Sequence, residues 1–302
     1  MQNKSRVDFI ILMCYNADKR GGMMKNNSIA WFFIKHRILA RILIVYPSVV
    51  AIMLCGQFIG IHIAIAAVVA VLVGTLISIV IMSAPLVLMR EPVERYNNGD
   101  PRPLLQITYD LLQFKLEQPY LLAVNINRCA ALGSIGEFER VIEELTTLNI
   151  EANPRATIYT KYIYYNNLAD AYFSVNEHDK GAVWYEKSAQ LFGAMKEGRL
   201  KESHRPIFML STAEYHISKG EYERGLELLC GVEAKTDKIK ASVAFISAEA
   251  HIGIGDVEQA KKDLMLVVSY GKDIHIVKRA RELLDELGKD SAKKSGAVEN
   301  QK

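Results

Sequence analysis

The chain has 302 residues, of which 50% are hydrophobic and 24% are charged, and its formal net charge is +3. The charge is unevenly divided, because residues 1–41 carry eight Lys or Arg and two Asp, whereas residues 90–302 are mildly acidic. The acidic part has no run of basic residues, which argues against nucleic-acid binding, and the four cysteines form no CxxC pair, which argues against a disulfide framework or a zinc site.

Residues 1–37 form a basic N-terminal segment. Its stretch Val7–Cys14 is apolar but too short to cross a membrane. The sequence Met23-Met24-Lys25 follows a charged, glycine-containing stretch. One hypothesis is therefore that translation starts at Met23 or Met24.

The next segment, residues 38–89, is predicted to be a transmembrane helical hairpin. No Lys, Arg, Asp or Glu occurs between Ile42 and Met89. A single helix over 42–82 would be roughly 60 Å long, about twice the thickness of the hydrocarbon core. Because Gly56 and Gly60 interrupt the run near its middle, we expect two spans, Ile38–Cys55 and Ile61–Met82.

Basic residues flank both predicted spans. Lys35, Arg37 and Arg41 precede the first span, and Arg90 and Arg95 follow the second. By the positive-inside rule this pattern predicts a two-span protein of the cell membrane with both termini in the cytoplasm. The alternative is one uncleaved signal anchor that places the large C-terminal domain outside.

The rest of the chain shows helical periodicity and an internal repeat. Four short segments share a turn residue, an acid, a variable residue and two polar residues that open a second helix. They begin at Gly136, Asn176, Gly220 and Gly255. We expect residues 90–118 to be a linker and a leading helix, residues 119–287 to be a solenoid that ends in a capping helix at Ile274–Leu287, and residues 288–302 to be a disordered tail.

This repeat resembles the tetratricopeptide repeat (TPR) family, whose unit is about 34 residues. The resemblance implies an all-α fold, with an α-solenoid of about four TPR-like helix pairs after the membrane hairpin. It assigns helix-packing positions to Leu168, Ala169, Tyr172, Ala213, Ala248 and Ala260. The intervals between turns are longer than the family's unit, which implies extended helices or longer loops such as Met195–His204.

The sequence contains no catalytic signature. It has no HExxH motif, no phosphate-binding glycine loop with a lysine and no nucleophile elbow. His216 and His251 occupy equivalent repeat positions, which favours packing over metal binding. We therefore expect neither an enzyme nor a bound metal or cofactor.

A small residue followed by an acid recurs on the first helix of three successive repeats, at Asp170, Glu214 and Glu249. The family resemblance implies that these acids face the concave groove, with Asn166 and Tyr162 beside them. A row of acids would bind a basic or amine-bearing partner. The alternatives are that the acids are ordinary solvated charges, and that Tyr162, with Tyr159, is a surface anchor for a partner.

The expected function is a membrane-anchored, bacterial-type scaffold or adaptor that presents a helical-repeat groove at the cytoplasmic face to an unidentified protein or peptide. A homo-oligomer is compatible with this reading. The alternative is a signalling regulator that binds a peptide or small ligand in a closed pocket and changes shape. A transporter is disfavoured because His62 is the one ionisable side chain, apart from Tyr46 and Cys55, in the apolar run.

Overall fold

The computed structural model describes residues 31, 34–36, 45–58, 63–114, 116 and 118–299, without the side chains of 63–64, 66–67, 77, 79–83, 118–119 and 290–299. Within these ranges the regular structure is helical, and neighbouring helices pack in sequential pairs, as in helical-repeat proteins. The helices are α1 (Tyr46–Phe58), α2 (Ile63–Asn97), α3 (Arg102–Leu112), α4 (Gln118–Ile135), α5 (Phe138–Thr147), α6 (Ile158–Ser174), α7 (His178–Ala194), α8 (Arg199–Ser218), α9 (Tyr222–Cys230), α10 (Asp237–Ile254), α11 (Val257–Tyr270) and α12 (His275–Glu299).

Helices α1 and α2 pack against each other as a hairpin. A Cβ atom at Gly74 would lie 3.3 Å from Cγ1 of Val45 and 3.4 Å from Cγ2 of Val49, so the two helices approach closely there. Of the two predicted spans, residues 38–44 and 61–62 lie outside the described part of the chain. Of the predicted break between the spans, residues 59–60 also lie outside it, whereas Gly56 lies inside α1 and does not interrupt that helix. A search of the described residues finds no helix with the length and apolar character needed to cross a membrane.

The second half of α2 belongs to the core of the C-terminal domain. Leu88 and Val93 on α2 are buried in one cluster with Leu104 and Leu111 on α3 and with Val124 on α4. Residues 90–97, which the sequence predicted to be linker, are therefore the last turns of a continuous 35-residue helix. The hairpin and the repeats share this helix, without a flexible connection between them.

The four predicted turns adopt one conformation. The turn residue has a positive φ in every case, at Gly136 (92°), Asn176 (61°), Gly220 (78°) and Gly255 (83°). The acid after each of them donates its amide N–H to the carbonyl five residues earlier, at 2.9 to 3.0 Å. These bonds satisfy carbonyls at the end of the first helix, as expected for a glycine-type helix stop. The sequence repeat is thus a repeat of backbone geometry.

Small residues sit where the two helices of a pair cross. Leu168, Ala169, Ala213, Ala248 and Ala260 are 0% exposed, whereas Tyr172 is half-buried. Glycines extend the pattern, because a Cβ at position 181 would lie 2.5 Å from the Phe173 ring and one at position 225 would lie 2.6 Å from Ile217. Close helix packing therefore explains why small side chains recur at these places.

The two ends of the helical array meet. The amide of Asp273 donates a hydrogen bond of 3.1 Å to the carbonyl of Gly99, at the end of α2. The ring of His275 on α12 lies edge-on to Phe138 on α5, with 4.7 Å between the ring centres. Residues near the beginning of the array therefore contact residues near its end.

Two predicted boundaries differ from the structure. Helix α12 continues to Glu299, through most of the segment that was predicted to be a disordered tail. Helix α8 begins at Arg199, so most of the predicted loop Met195–His204 is helical. Charged residues three or four positions apart stabilise such polar helix ends. The composition of the segments alone does not show this spacing.

Candidate functional site

The three acids of the predicted row lie on α6, α8 and α10, the first helices of three successive repeats. Asp170 is held on both sides of its carboxyl group: its Oδ1 accepts a hydrogen bond from Ser211 Oγ at 2.9 Å, and its Oδ2 accepts one from Asn166 Nδ2 at 3.0 Å. Ser211 lies on α8, one turn before Glu214. The bond between Ser211 and Asp170 therefore joins two repeats at the position of the acids.

Glu214 is the member of the row on which the charges of the other two carboxyl groups act. Its pKa is raised well above the ordinary value, first by burial and then by the negative charges of Asp170 and Glu249. The carboxyl groups of Asp170 and Glu249 thus both act on Glu214, which lies on α8, the first helix of the repeat between theirs. We call Asp170, Glu214 and Glu249 the acid row.

Burial also raises the pKa of the outer two members. The pKa of Asp170 is about 6, because burial outweighs the opposing effects of the Ser211 hydrogen bond and the positive charge of Lys238. The pKa of Glu249 is about 7, because burial outweighs the opposing charge of Arg279. All three side chains nevertheless keep some accessible surface.

Tyr162 lies two turns and Asn166 one turn before Asp170 on the same stripe of α6. Tyr162 is 1% exposed and Tyr159 is 3% exposed, so the prediction that these two tyrosines are surface anchors is wrong. Both rings pack against Phe192 and Met195 in one buried cluster. The aromatic spacing of α6 alone could not distinguish a buried tyrosine from an exposed one.

Two buried polar atoms beside the acid row have no hydrogen-bond partner in the described part of the chain. They are the hydroxyl oxygen of Tyr162 and Oδ1 of Asn166, a residue that is 3% exposed. The charge of Asp170 contributes to the raised pKa of Tyr162, after burial, so this hydroxyl lies within electrostatic range of the carboxyl group. Buried polar groups without partners are rare and require an explanation.

Lys238 and Arg279 are the cations that act on the acid row, and the sequence analysis missed both. Lys238 Nζ bonds to the Tyr96 hydroxyl at 2.8 Å and lies 4.4 Å from the centre of that ring. Arg279 forms ion pairs with Glu282 at 3.4 Å and Glu286 at 3.7 Å. The nearest partners of both cations therefore lie outside the acid row. The sequence does not indicate that Lys238 acts on Asp170, because that interaction depends on the contact between the two ends of the array.

The equivalent histidines each pair with an acid within their own repeat. His216 Nδ1 lies 2.6 Å from Glu221 Oε2, and His251 Nδ1 lies 2.7 Å from Asp263 Oδ2. In the residues that the structure describes, no group of three or more His, Cys, Asp or Glu is arranged to hold a metal ion. Each pair thus connects the first helix of a repeat with the second helix or with the residue just before it.

Comparison with protein families, with curated proteins and with solved structures finds no match. The function therefore has to be argued from the acid row and its surroundings.

Proposed function

We propose that this chain is a membrane-anchored helical-repeat scaffold of the TPR type, whose concave face binds a basic segment of a protein partner at the cytoplasmic side of the cell membrane. The proposal depends on one observation, the three carboxyl groups of the acid row, in which the negative charges of Asp170 and Glu249 both act on Glu214. Their electrostatic strain is relieved when positive charge binds beside them. Binding, rather than catalysis, is the chemistry that such a row supplies.

The spacing of the row supports a linear partner. Packed helices lie about 8–10 Å apart, and an extended chain rises about 3.3 Å per residue. One interval of the row therefore corresponds to about three residues of an extended segment. Charge pairing of this kind adds specificity and association rate to whatever apolar contacts the partner makes.

Exposed apolar side chains on α1 and α2 support the membrane anchor. Val50 and Leu54 on α1 are 56% and 59% exposed, and Val68, Val71 and Leu76 on α2 are 59%, 66% and 62% exposed. Soluble monomers rarely expose a contiguous apolar surface of this kind. The surface lies within the run that has no Lys, Arg, Asp or Glu between residues 42 and 89, so a lipid bilayer is its proposed covering.

A polar side chain on α2 is satisfied within its own helix. Thr75 Oγ1 donates a hydrogen bond of 2.7 Å to the carbonyl of Val71, which is how a hydroxyl is accommodated in lipid. The basic residues Lys35, Arg37 and Arg41 before the hairpin and Arg90 after it support a cytoplasmic location of both termini. Reporter fusions test this orientation: high alkaline phosphatase activity of a C-terminal fusion would contradict it.

The test of the scaffold proposal is a triple substitution of the acid row. In the full chain in native membranes, Asp170→Asn, Glu214→Gln and Glu249→Gln together should abolish crosslinking to a lysine- or arginine-rich protein. Amide side chains keep the size of the acids and remove their charge. Unchanged capture of the same protein by this variant, with unchanged salt dependence, would contradict the proposal.

A matched control removes three acids from the outer surface. Glu227, Glu233 and Glu258 are 69%, 73% and 80% exposed, and their ion pairs are with neighbours in sequence. Substitution of all three by Gln changes the net charge by the same amount. Capture of the partner should remain intact in this control.

The second candidate function is a ligand-responsive signalling regulator. The observation that favours it is the contact between the ends of the array, at Gly99 with Asp273 and at Phe138 with His275, because a closed concave side can surround a small ligand. Under this function, ligand binding changes hydrogen exchange at the end-to-end contact. Under the scaffold function, a basic peptide changes exchange along the acid row and leaves that contact unaltered.

A further inference from the structure

The end of the acid row that contains Asp170 and Glu214 has more hydrogen-bond acceptors than donors. Ionised Asp170 and Glu214 can only accept hydrogen bonds, so the Asn166 amide turns its nitrogen toward Asp170 and leaves its Oδ1 without a donor. The Tyr162 hydroxyl, which can donate and accept, also has no hydrogen-bond partner among the described residues. What this end of the row lacks is a compact positive group that carries several N–H donors.

The cations nearby do not supply these donors. The hydrogen bond of Lys238 goes to Tyr96, and the ion pairs of Arg279 go to Glu282 and Glu286. Both act on the acid row through their charge, Lys238 on Asp170 and Arg279 on Glu249. The central member, Glu214, has no cation among the effects that shift its pKa.

We propose that Tyr162, Asn166, Asp170 and Glu214 form a binding site for one primary alkylammonium group, and that this group is the side chain of a lysine in the partner segment. This inference deepens the proposed function and rests on it for the source of the amine. The ammonium donates to a carboxylate oxygen of Asp170, to one of Glu214 and to Asn166 Oδ1. The Tyr162 hydroxyl lies within electrostatic range of the Asp170 carboxylate. It accepts or donates a hydrogen bond at the edge of the site.

The geometry favours an ammonium over a guanidinium. Both oxygens of Asp170 already accept a hydrogen bond, from Ser211 and from Asn166. An arginine would bind both oxygens along one edge with its planar fork, and would compete with these bonds. An ammonium needs only one free lone pair from each of several acceptors, which this arrangement offers.

The experiment uses the full chain in detergent micelles at pH 8 and low salt. The probe is 1-pentylamine, a mimic of the lysine side chain, and its apparent Kd is obtained from the rise in the thermal unfolding midpoint with concentration. Pentylguanidine and 1-pentanol are the comparison probes. We expect pentylamine to stabilise the protein at lower concentration than pentylguanidine, and pentanol to have no saturable effect.

Single substitutions locate the site. Asp170→Asn should weaken pentylamine binding about tenfold, since a hydrogen bond to a charged group contributes 1.5–3 kcal/mol. Asn166→Ala and Tyr162→Phe should weaken it less. Glu258→Gln, on an exposed residue far along the chain, should leave it unchanged, and circular dichroism of each variant checks that the helices are intact.

The outcomes separate the two proposals. No saturable stabilisation by pentylamine, equal or tighter binding of pentylguanidine, or full binding by the Asp170→Asn variant overturns the ammonium site. Pentylamine binding with loss of partner crosslinking in the Asp170→Asn variant supports both proposals. If pentylamine binds and the Asp170→Asn variant still crosslinks to the partner, the ammonium site is supported and the proposed function is contradicted. The ligand of the site is then a free amine.

Discussion

Lys238 on α10 donates a hydrogen bond of 2.8 Å to the hydroxyl of Tyr96 on α2, across 142 residues of sequence. The same ammonium lies over the Tyr96 ring and acts on the carboxyl group of Asp170. One lysine thus links the second helix of the N-terminal hairpin, the contact between the ends of the array and the acid row.

Loss of this link should loosen the contact between the ends. The Lys238→Met variant loses the hydrogen bond to Tyr96 and the cation–π contact, so the amide of Asp273, which bonds to Gly99, should exchange with solvent roughly tenfold faster. Hydrogen exchange measured by mass spectrometry over residues 271–274 checks this. In the control Lys235→Met, the lysine lost pairs with Glu233, and exchange there should not change.

Stability should decrease as the pH rises above about 6.5. The folded-state pKa values of Asp170 (about 6) and Glu249 (about 7), and that of Glu214, are raised, so the native state holds protons that the unfolded state has already released. The stabilisation from these groups is complete below the unfolded-state values near 4 and is lost through the folded-state values. Chemical denaturation between pH 6.5 and 8.5 measures the part of this loss that comes from Glu249 and Glu214, because the part from Asp170 is largely complete at pH 6.5.

Below pH 6.5 a second effect opposes the first. Burial lowers the pKa of His204 and of His275 to about 4, so their contribution to stability is complete above pH 6.5 and is lost as the pH falls toward 4. The free energy of unfolding should therefore vary little between pH 4.5 and 6.5. The triple amide variant of the acid row should show no loss above pH 6.5, and a loss equal to that of the wild type would contradict the assignment.

Partner binding should depend on pH and on salt in a defined direction. Because the acid row binds cations only when ionised, affinity for a basic peptide should fall as the pH is lowered from 8 to 5.5, through the pKa values of Glu249 and Asp170. Raising the salt concentration at pH 8 should also weaken binding by screening. Titration calorimetry measures both, and affinity that is constant over this pH range would exclude the acid row as the binding surface.

The helix-packing account is tested by two glycines of α7. A Cβ at Gly181 would lie 2.5 Å from the Phe173 ring, whereas a Cβ at Gly193 meets nothing within 4 Å. Gly181→Ala should therefore destabilise the protein by about 1–3 kcal/mol through overpacking, and Gly193→Ala should stabilise it by about 0.5–1 kcal/mol through helix propensity. Urea denaturation compares them, and equal effects would contradict the packing role of Gly181.

The repeat and its turns could be predicted because their causes are local. A glycine or asparagine followed by an acid specifies a positive-φ helix stop and the start of the next helix, and all four turns are found. The positions of Asp170, Glu214 and Glu249 on successive first helices followed from the same register. The burial of Tyr162 did not follow, because it depends on Phe192 from the partner helix.

The closure of the array could not be predicted from the sequence. It depends on the accumulated rotation between successive repeats, which brings Asp273 to Gly99 and Lys238 to Tyr96. Neither pair has a charge or apolar pattern that marks the two residues as neighbours. The same global property explains why Lys238 was not expected beside the acid row.

The most direct measurement for the central claim is photo-crosslinking from a probe at Ser174, an exposed residue one turn after Asp170 on α6. It is carried out in native membranes with the wild type, the triple amide variant of the acid row and the control Glu227→Gln, Glu233→Gln and Glu258→Gln. We expect a crosslink to a lysine-bearing segment of the partner in the wild type and the control, and loss of this crosslink in the acid-row variant. An identical crosslink in all three proteins would contradict it.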